Sequence, residues 1–214
     1  MSGAPQDEGS RRRVPQQPRS IGRVERVLEA AAELVVQGGV ESVTTRVVAS
    51  AAGIPVPSLY QYFDGKDAIL LELLERDVAE MDREVGTDLA ALPARSVRTI
   101  VETTVRAQVR VFRRRPAFVM IWLRGRTNPA VAESCRRHKK QMARELFEVA
   151  RSAGVTEEGA VGLYAELAVE VSDRLYQVAF EETLHGDDHV LEETIAVVSS
   201  YLLAHAARDA GGRG

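Results

Sequence analysis

From Ser20 onward, apolar residues return every three or four positions. Ile21, Val24, Leu28, Ala31 and Val35 form the first such stripe, which predicts an amphipathic helix with one buried face. Ser20 stands where an N-cap belongs, and Gly38-Gly39 supply the left-handed stop that glycine tolerates. A second helix is predicted after Thr44, whose hydroxyl is placed to cap free backbone N–H groups, and runs to about Ala52. Gly53 permits a sharp turn, and a third short helix follows from about Val56 to Tyr62. Beyond Asp64-Gly65 a fourth carries Ile69 or Leu70, Leu73 or Leu74, Val78, Met81 and Val85 on one side.

The same period continues to the end of the chain. Val97, Val101, Val105, Gln108 and Phe112 mark a helix ended by Arg115-Pro116, and Pro116 opens a short apolar one, Ala117 to Leu123. Asn128-Pro129 opens a long helix through Val131, Cys135, His138, Met142, Leu146 and Val149, closed by Gly154. Two more follow, one through Tyr164, Val171, Leu175 and Val178 and one through Leu191, Ile195, Val198 and Leu202, joined at His185-Gly186-Asp187-Asp188. No stretch alternates with the strand period of two, and no internal repeat appears. The fold class is all-α: an N-terminal three-helix unit over residues 20–66, then a larger helical domain over 67–214. Residues 1–19, rich in Pro, Gly, Gln and Arg, read as a disordered basic arm.

Composition refines this picture at three points. No apolar run approaches the roughly 20 residues a membrane span needs, so the expectation is no membrane and a cytoplasmic location. A single cysteine, Cys135, leaves no internal disulfide framework and suits a reducing compartment. Net charge is −3, but residues 106–151 carry a local +10 while residues 152–214 carry −9. Charge segregation of that size needs an explanation, and the total conceals it.

Three short helices with a glycine turn between the second and third are what a helix-turn-helix requires. The second helix braces against the DNA backbone, and the third presents side chains to the major groove. After the turn at Ala51-Ala52-Gly53-Ile54, the stretch Ser58-Leu59-Tyr60-Gln61-Tyr62-Phe63 mixes core candidates (Leu59, Phe63) with hydroxyl and amide groups. Ser58, Tyr60, Gln61 and Tyr62 are the types that reach phosphates or base edges. Lys66 opens the fourth helix, where its ammonium and free N–H groups favour a phosphate.

The ordered set Thr44-Thr45-Arg46-Val47-Val48-Ala49, Ala52-Gly53-Ile54, Ser58 to Phe63 and Lys66-Asp67-Ala68-Ile69-Leu70 resembles the DNA-binding domain of the tetracycline-repressor (TetR-like) family. The resemblance spans residues 20–70. It implies that Thr45, Arg46, Tyr60, Gln61, Tyr62 and Lys66 contact double-stranded DNA, with Thr44 and Ser58 beside them. It also implies a homodimer on a palindromic operator, a helical C-terminal domain, and a small-molecule effector that weakens DNA binding. The chain departs from the family at Pro55-Val56-Pro57. Pro55 replaces a capping serine, a loss of about 1 kcal/mol, and Val56 and Pro57 are expected to meet thymine methyls by apolar contact.

In the larger domain the small residues Ala165, Ala168, Ser172, Ala196 and Ser199 let the last two helices pack closely against each other and against a second copy. Candidate ligand-lining residues are Phe112, Phe118, Trp122, Met142, Tyr164 and Tyr176, with Met120 and Phe147 nearby. The basic block, with Arg113-Arg114-Arg115, Arg124, Arg126 and Arg136 to Lys140, serves one of three ends. It binds an anionic effector, faces DNA, or balances the acidic final helices. Cys135 and His138 share a helix face, but no partners complete a metal site. No cofactor is implied, and no catalytic constellation appears, so the chain reads as a regulator and not an enzyme. The alternative class is a helical ligand-sequestering protein with a degenerate DNA-binding domain.

Overall fold

The computed structural model describes residues 18–154 and 161–211, and among them every regular element is a helix. The N-terminal unit comprises α1 (Pro18–Gly38), a 3-10 turn (Val40–Ser42), α2 (Thr45–Ala51) and α3 (Val56–Leu59). Next come α4 (Lys66–Ala90), α5 (Val97–Arg114), α6 (Pro116–Phe118) and α7 (Pro129–Ser152). The last pair is α8 (Val161–Ala179) and α9 (Asp188–Gly211). The arm expected at 1–19 lies outside the described residues except for its last two, which open α1. Because α1 starts at Pro18, Ser20 sits inside it and is not its cap; proline suits a first turn because its φ is already helical.

The local signals act as the residue types dictate. Gly39 adopts φ 71° and Gly53 φ 64°, left-handed values that would strain any β-carbon. Thr44 is extended, and its hydroxyl accepts from the Val47 N–H, capping α2. Pro55 caps α3 with no side-chain hydrogen bond. The third helix is shorter than its spacing predicts, ending at Leu59. Beyond it Gln61 and Tyr62 bond three residues back, to Ser58 and Leu59, in tightened turns that lead into Phe63.

α4 continues without a break from the N-terminal unit into the larger domain, so the two share one rod. The N-terminal core is Val27, Ala31, Val35, Val48, Leu59, Ile69 and Leu70, each at most 3% exposed. In the larger domain α4 packs on α5, α7 on α8, and α8 on both α9 and α7. After α6 the backbone widens into a π-helical stretch, Val119–Arg124, in which Trp122 is buried. An aromatic chain runs through this core: Phe112 lies 5.2 Å from Phe118 and 5.5 Å from Phe180, ring centre to ring centre. No described helix is long and apolar enough to cross a membrane.

Candidate DNA-reading face and ligand cavity

The polar residues of the N-terminal unit are held outward by the buried ones between them. Val48 and Ala49 anchor α2, while Leu59 and Phe63 anchor α3 and its continuation. Arg46, Pro57, Tyr60 and Gln61 are exposed, and Thr45, Ser58, Tyr62 and Lys66 are half-exposed. A hydrogen bond of 3.2 Å between Thr45 Oγ1 and the Tyr60 hydroxyl ties the start of α2 to the end of α3. Thr44 is exposed too, but its hydroxyl is engaged in capping. Val56 is half-buried against the core, which leaves Pro57 as the more outward of the two apolar residues. Lys66 begins α4 behind Gly65, and its ammonium lies 3.9 Å from the Glu41 carboxylate. At that distance in solvent the attraction is small, so the lysine remains available to an incoming phosphate.

Between α4, α5, α7, α8 and α9 the larger domain holds a cavity that is partly open to solvent. Phe112, Trp122, Met142, Tyr164 and Tyr176 all line it. Phe118 does not: it is fully buried behind the wall, packed between Phe112 and Trp122. Phe147 contributes and Met120 does not. The wall is mostly apolar, with a polar group of residues at its inner end.

Asp173 organises that inner end. One of its carboxylate oxygens accepts from Trp122 Nε1 (3.2 Å) and from Arg126, and the other from Lys139 Nζ (3.1 Å) and Gln177. Lys139 also donates to Glu170. Beside this cluster the Tyr176 hydroxyl donates to Gln108 Oε1 (2.7 Å), and burial, reinforced by the Asp173 charge, pushes the phenol up so that it stays protonated. Sequence reasoning did not name Asp173, Gln108 or Thr104 as cavity residues. Carboxylates are abundant along this chain, and Gln108 reads as one polar residue on an apolar stripe.

The basic block meets acidic helices. Arg110, Arg114 and Arg115 pair with Glu80, Glu84 and Asp88 of α4. Arg113 pairs with Asp188. Arg124 donates to the Phe180 carbonyl, and Arg126 to Asp173. Partial burial tends to raise the Glu80 carboxyl, but the Arg115 and Arg114 guanidiniums outweigh it and hold Glu80 below the usual range. Asp77 shows the opposite balance: burial pushes it up to about 6 against the pull of Arg115, 3.6 Å away. Of the block, Lys139 alone among the described residues reaches the cavity wall. The Cys135 thiol is buried and pushed up to about 11, which keeps it protonated and unreactive. No group of three or more His, Cys, Asp or Glu residues among those described is placed to hold a metal.

A short segment joins the cavity to the DNA-reading unit. Arg126 donates to both the Trp122 carbonyl and Asp173. Two residues on, Asn128 donates to Asp67 in the first turn of α4 (2.7 Å), and Thr127 donates to Glu41, the neighbour of Lys66 (3.2 Å). Gly125 lies so close to the N-terminal unit that a β-carbon there would come within 2.8 Å of Val40 Cγ1 and 2.6 Å of the Ile121 carbonyl.

On the far side, α8 presents Leu163, Leu167, Val171 and Val178 to solvent, and α9 presents Val197 and Leu203. On α8 the spacing of four from Leu163 through Leu167 to Val171, with Val178 seven residues on, makes an apolar stripe.

Comparison with known proteins agrees with this layout. The family model for bacterial regulatory proteins of the tetR family matches residues 27–73, and that for the tetracycline-repressor-like C-terminal domain matches residues 96–202. The HTH-type transcriptional repressor KstR of Mycolicibacterium smegmatis is 39% identical over 70 residues, covering 33% of each chain. An uncharacterised HTH-type transcriptional regulator of Mycobacterium tuberculosis is 31% identical over 84 residues, 38% of this chain and 42% of that one. The chain thus spans less than half the length of the curated relatives it matches. Among solved structures, a TetR-family regulator from Streptomyces coelicolor superposes with a TM-score of 0.68 at 24% identity, covering 86% of this chain and 99% of the other. The fatty acid degradation regulator FadR of Bacillus halodurans gives 0.67 at 15% identity, covering 89% and 97%. At these identities the structural likeness speaks for the fold.

Proposed function

Because the chain belongs to the tetracycline-repressor family of bacterial regulatory proteins, we propose that it is a dimeric DNA-binding repressor released from its operator by a small molecule. The observation that carries this reading is the outward set Thr45, Arg46, Ser58, Tyr60, Gln61, Tyr62 and Lys66, held in place by a buried Leu59 and Phe63. Arg46, Tyr62 and Lys66 serve phosphates, Tyr60 and Gln61 face base edges, and Pro57 meets thymine methyls. The apolar stripe of α8, with the exposed Val197 and Leu203 of α9, meets its copy in a second chain. Covering it removes a hydrophobic patch from water and spaces two reading units for a palindromic operator.

Release follows from the segment 122–128. A molecule in the cavity repositions Trp122 and Arg126, and through Gly125, Thr127 and Asn128 shifts Val40, Glu41 and the first turn of α4. Lys66 lies on that turn. The effector acts by binding one arrangement of this contact better than the other, which is all that an allosteric ligand needs.

The test is a salt titration of DNA binding for the Tyr62→Ala, Lys66→Ala double variant. Each lost phosphate contact lowers the slope of log affinity against log salt by about 0.9. The double variant is therefore expected to bind any duplex more weakly and with a shallower slope. Unchanged affinity and slope would contradict the assignment.

A further inference from the structure

The polar groups in the cavity wall divide into spent and unspent. Lys139 and Asp173, the charged pair at the inner end, neutralise each other, and Asp173 already accepts from four donors. Among the buried uncharged groups of the wall, two are left with unused capacity. Thr104 is 7% exposed and lines the cavity, yet its buried hydroxyl has no hydrogen-bond partner. A buried hydroxyl in that state forfeits its hydration with no return. Threonine in a helix divides between two rotamers, so one turn about χ1 exchanges methyl and hydroxyl with no bond to break. One helical turn further along α5, Gln108 Nε2 donates only to the Met142 thioether, 3.1 Å away, a weak acceptor. Its carbonyl is held by Tyr176, which fixes the amide with its N–H₂ on the other side.

We infer that the effector is an uncharged, mainly apolar molecule with one hydroxyl or carbonyl oxygen, recognised by Thr104 and Gln108. The inference rests on reading this cavity as the effector site. The ligand oxygen accepts from Gln108 Nε2 and exchanges a hydrogen bond with Thr104 Oγ1. Its hydrocarbon body lies along Val97, Ile100, Val101, Leu146 and Val169. From Gln108 to Val97 is eleven residues of α5, about 16 Å of wall at the helical rise. An anion is disfavoured there because Lys139, the one cation of the basic block on the wall, is engaged by Glu170 and Asp173. His205 also lines the cavity, stacked on Tyr164 of α8, but a carboxylate held at Thr104 and Gln108 would be desolvated with no free lysine or arginine among the described residues of the wall.

Trp122, the only tryptophan of the chain, lines the cavity and reports on it by fluorescence. The experiment titrates the full-length protein at pH 8 with dodecan-1-ol, dodecan-2-one and dodecanoate. The expected result is saturable change with the alcohol and ketone, and at least about tenfold weaker binding of dodecanoate. Thr104→Val is expected to weaken the alcohol about fivefold, and Thr104→Ser to retain it. Dodecanoate binding as tightly as the alcohol, no saturable response to either neutral probe, or indifference to Thr104→Val would each overturn the inference. A gel shift on the DNA flanking the protein's own gene runs alongside. Sequence-specific shift with failed probe binding removes this inference alone. Probe binding without a sequence-specific shift removes the regulator reading and leaves the cavity assignment standing.

Discussion

The proposed DNA-reading face and the proposed ligand cavity are built by opposite means. The face uses 23 consecutive positions, from Thr44 to Lys66, and its chemistry points outward from a small local core. The cavity draws on five helices between Met81 and Ala206, and its chemistry points inward from residues far apart in the chain. Tyr176 meets Gln108 across 68 positions, and Trp122 meets Asp173 across 51. A local face is specified by short motifs and turn residues. A cavity is specified by which helices happen to be neighbours, and its polar groups acquire meaning only when their partners are in place.

The largest expected effect breaks the comparison at its outer edge. Leu167→Glu with Val171→Glu places charge in the exposed stripe of α8. We expect monomers by light scattering and a loss of operator affinity of about a hundredfold or more, since two linked reading units gain that much over one. A variant that stays dimeric at micromolar concentration would refute the proposed interface. Next, Leu59→Ala removes the fully buried anchor of α3 at a cost of about 2–5 kcal/mol. Thermal unfolding is expected to shift down, with DNA binding lost before the cavity's response. If the cavity response failed first, the two regions would not be separable in this way.

Gly125→Val attacks the segment between them. Its side chain meets Val40 and the Ile121 carbonyl at 2.8 and 2.6 Å, and overpacking of this kind costs about 1–3 kcal/mol. The expected signature is retained probe binding at Trp122 with a weakened effect on DNA affinity. Full coupling in a stable variant would show that the signal travels elsewhere. The smallest effect is at Asp77. Its folded-state carboxyl is raised to about 6 from an ordinary 3.8 by burial, so the native state holds a proton that the unfolded chain releases. Stability from this group is therefore greatest below pH 4 and is lost as pH rises through 6. Asp77→Asn is expected to stabilise by about 1–3 kcal/mol at pH 7.5, with the gain vanishing toward pH 4. A destabilised variant at pH 7.5 would mean that Arg115 outweighs burial.

The contrast also explains what could be read in advance. Thr44 as a cap, Gly53 as a left-handed turn, and Pro55 as a start without a side-chain bond are local consequences of residue type, and each stands where spacing put it. The third helix is harder to read, because Tyr60 to Phe63 keep helical spacing while the backbone tightens at Gln61 and Tyr62 to bonds three residues back. In the larger domain, side-chain bulk names Phe112, Trp122, Met142, Tyr164 and Tyr176 of the wall but also Phe118, which packs behind it. The π-helical stretch at 119–124, which contributes Trp122 to the wall, is a local widening that no simple period anticipates. The charge segregation suggests an anionic effector, DNA or the acidic final helices as its partner, and only Arg113 and a few others of the block reach those final helices. Arg110, Arg114 and Arg115 pair instead with α4, a partner that helix spacing alone does not indicate.

The central claim is that the face from Thr44 to Lys66 reads DNA sequence and does more than bind charge. The most direct measurement compares the affinity of the intact protein for the DNA flanking its own gene with that for a scrambled duplex of equal composition, at two salt concentrations. The account predicts a saturable complex at least about a thousandfold tighter on the native sequence, with the preference kept as salt rises. Equal affinity for the two duplexes at both concentrations would contradict it.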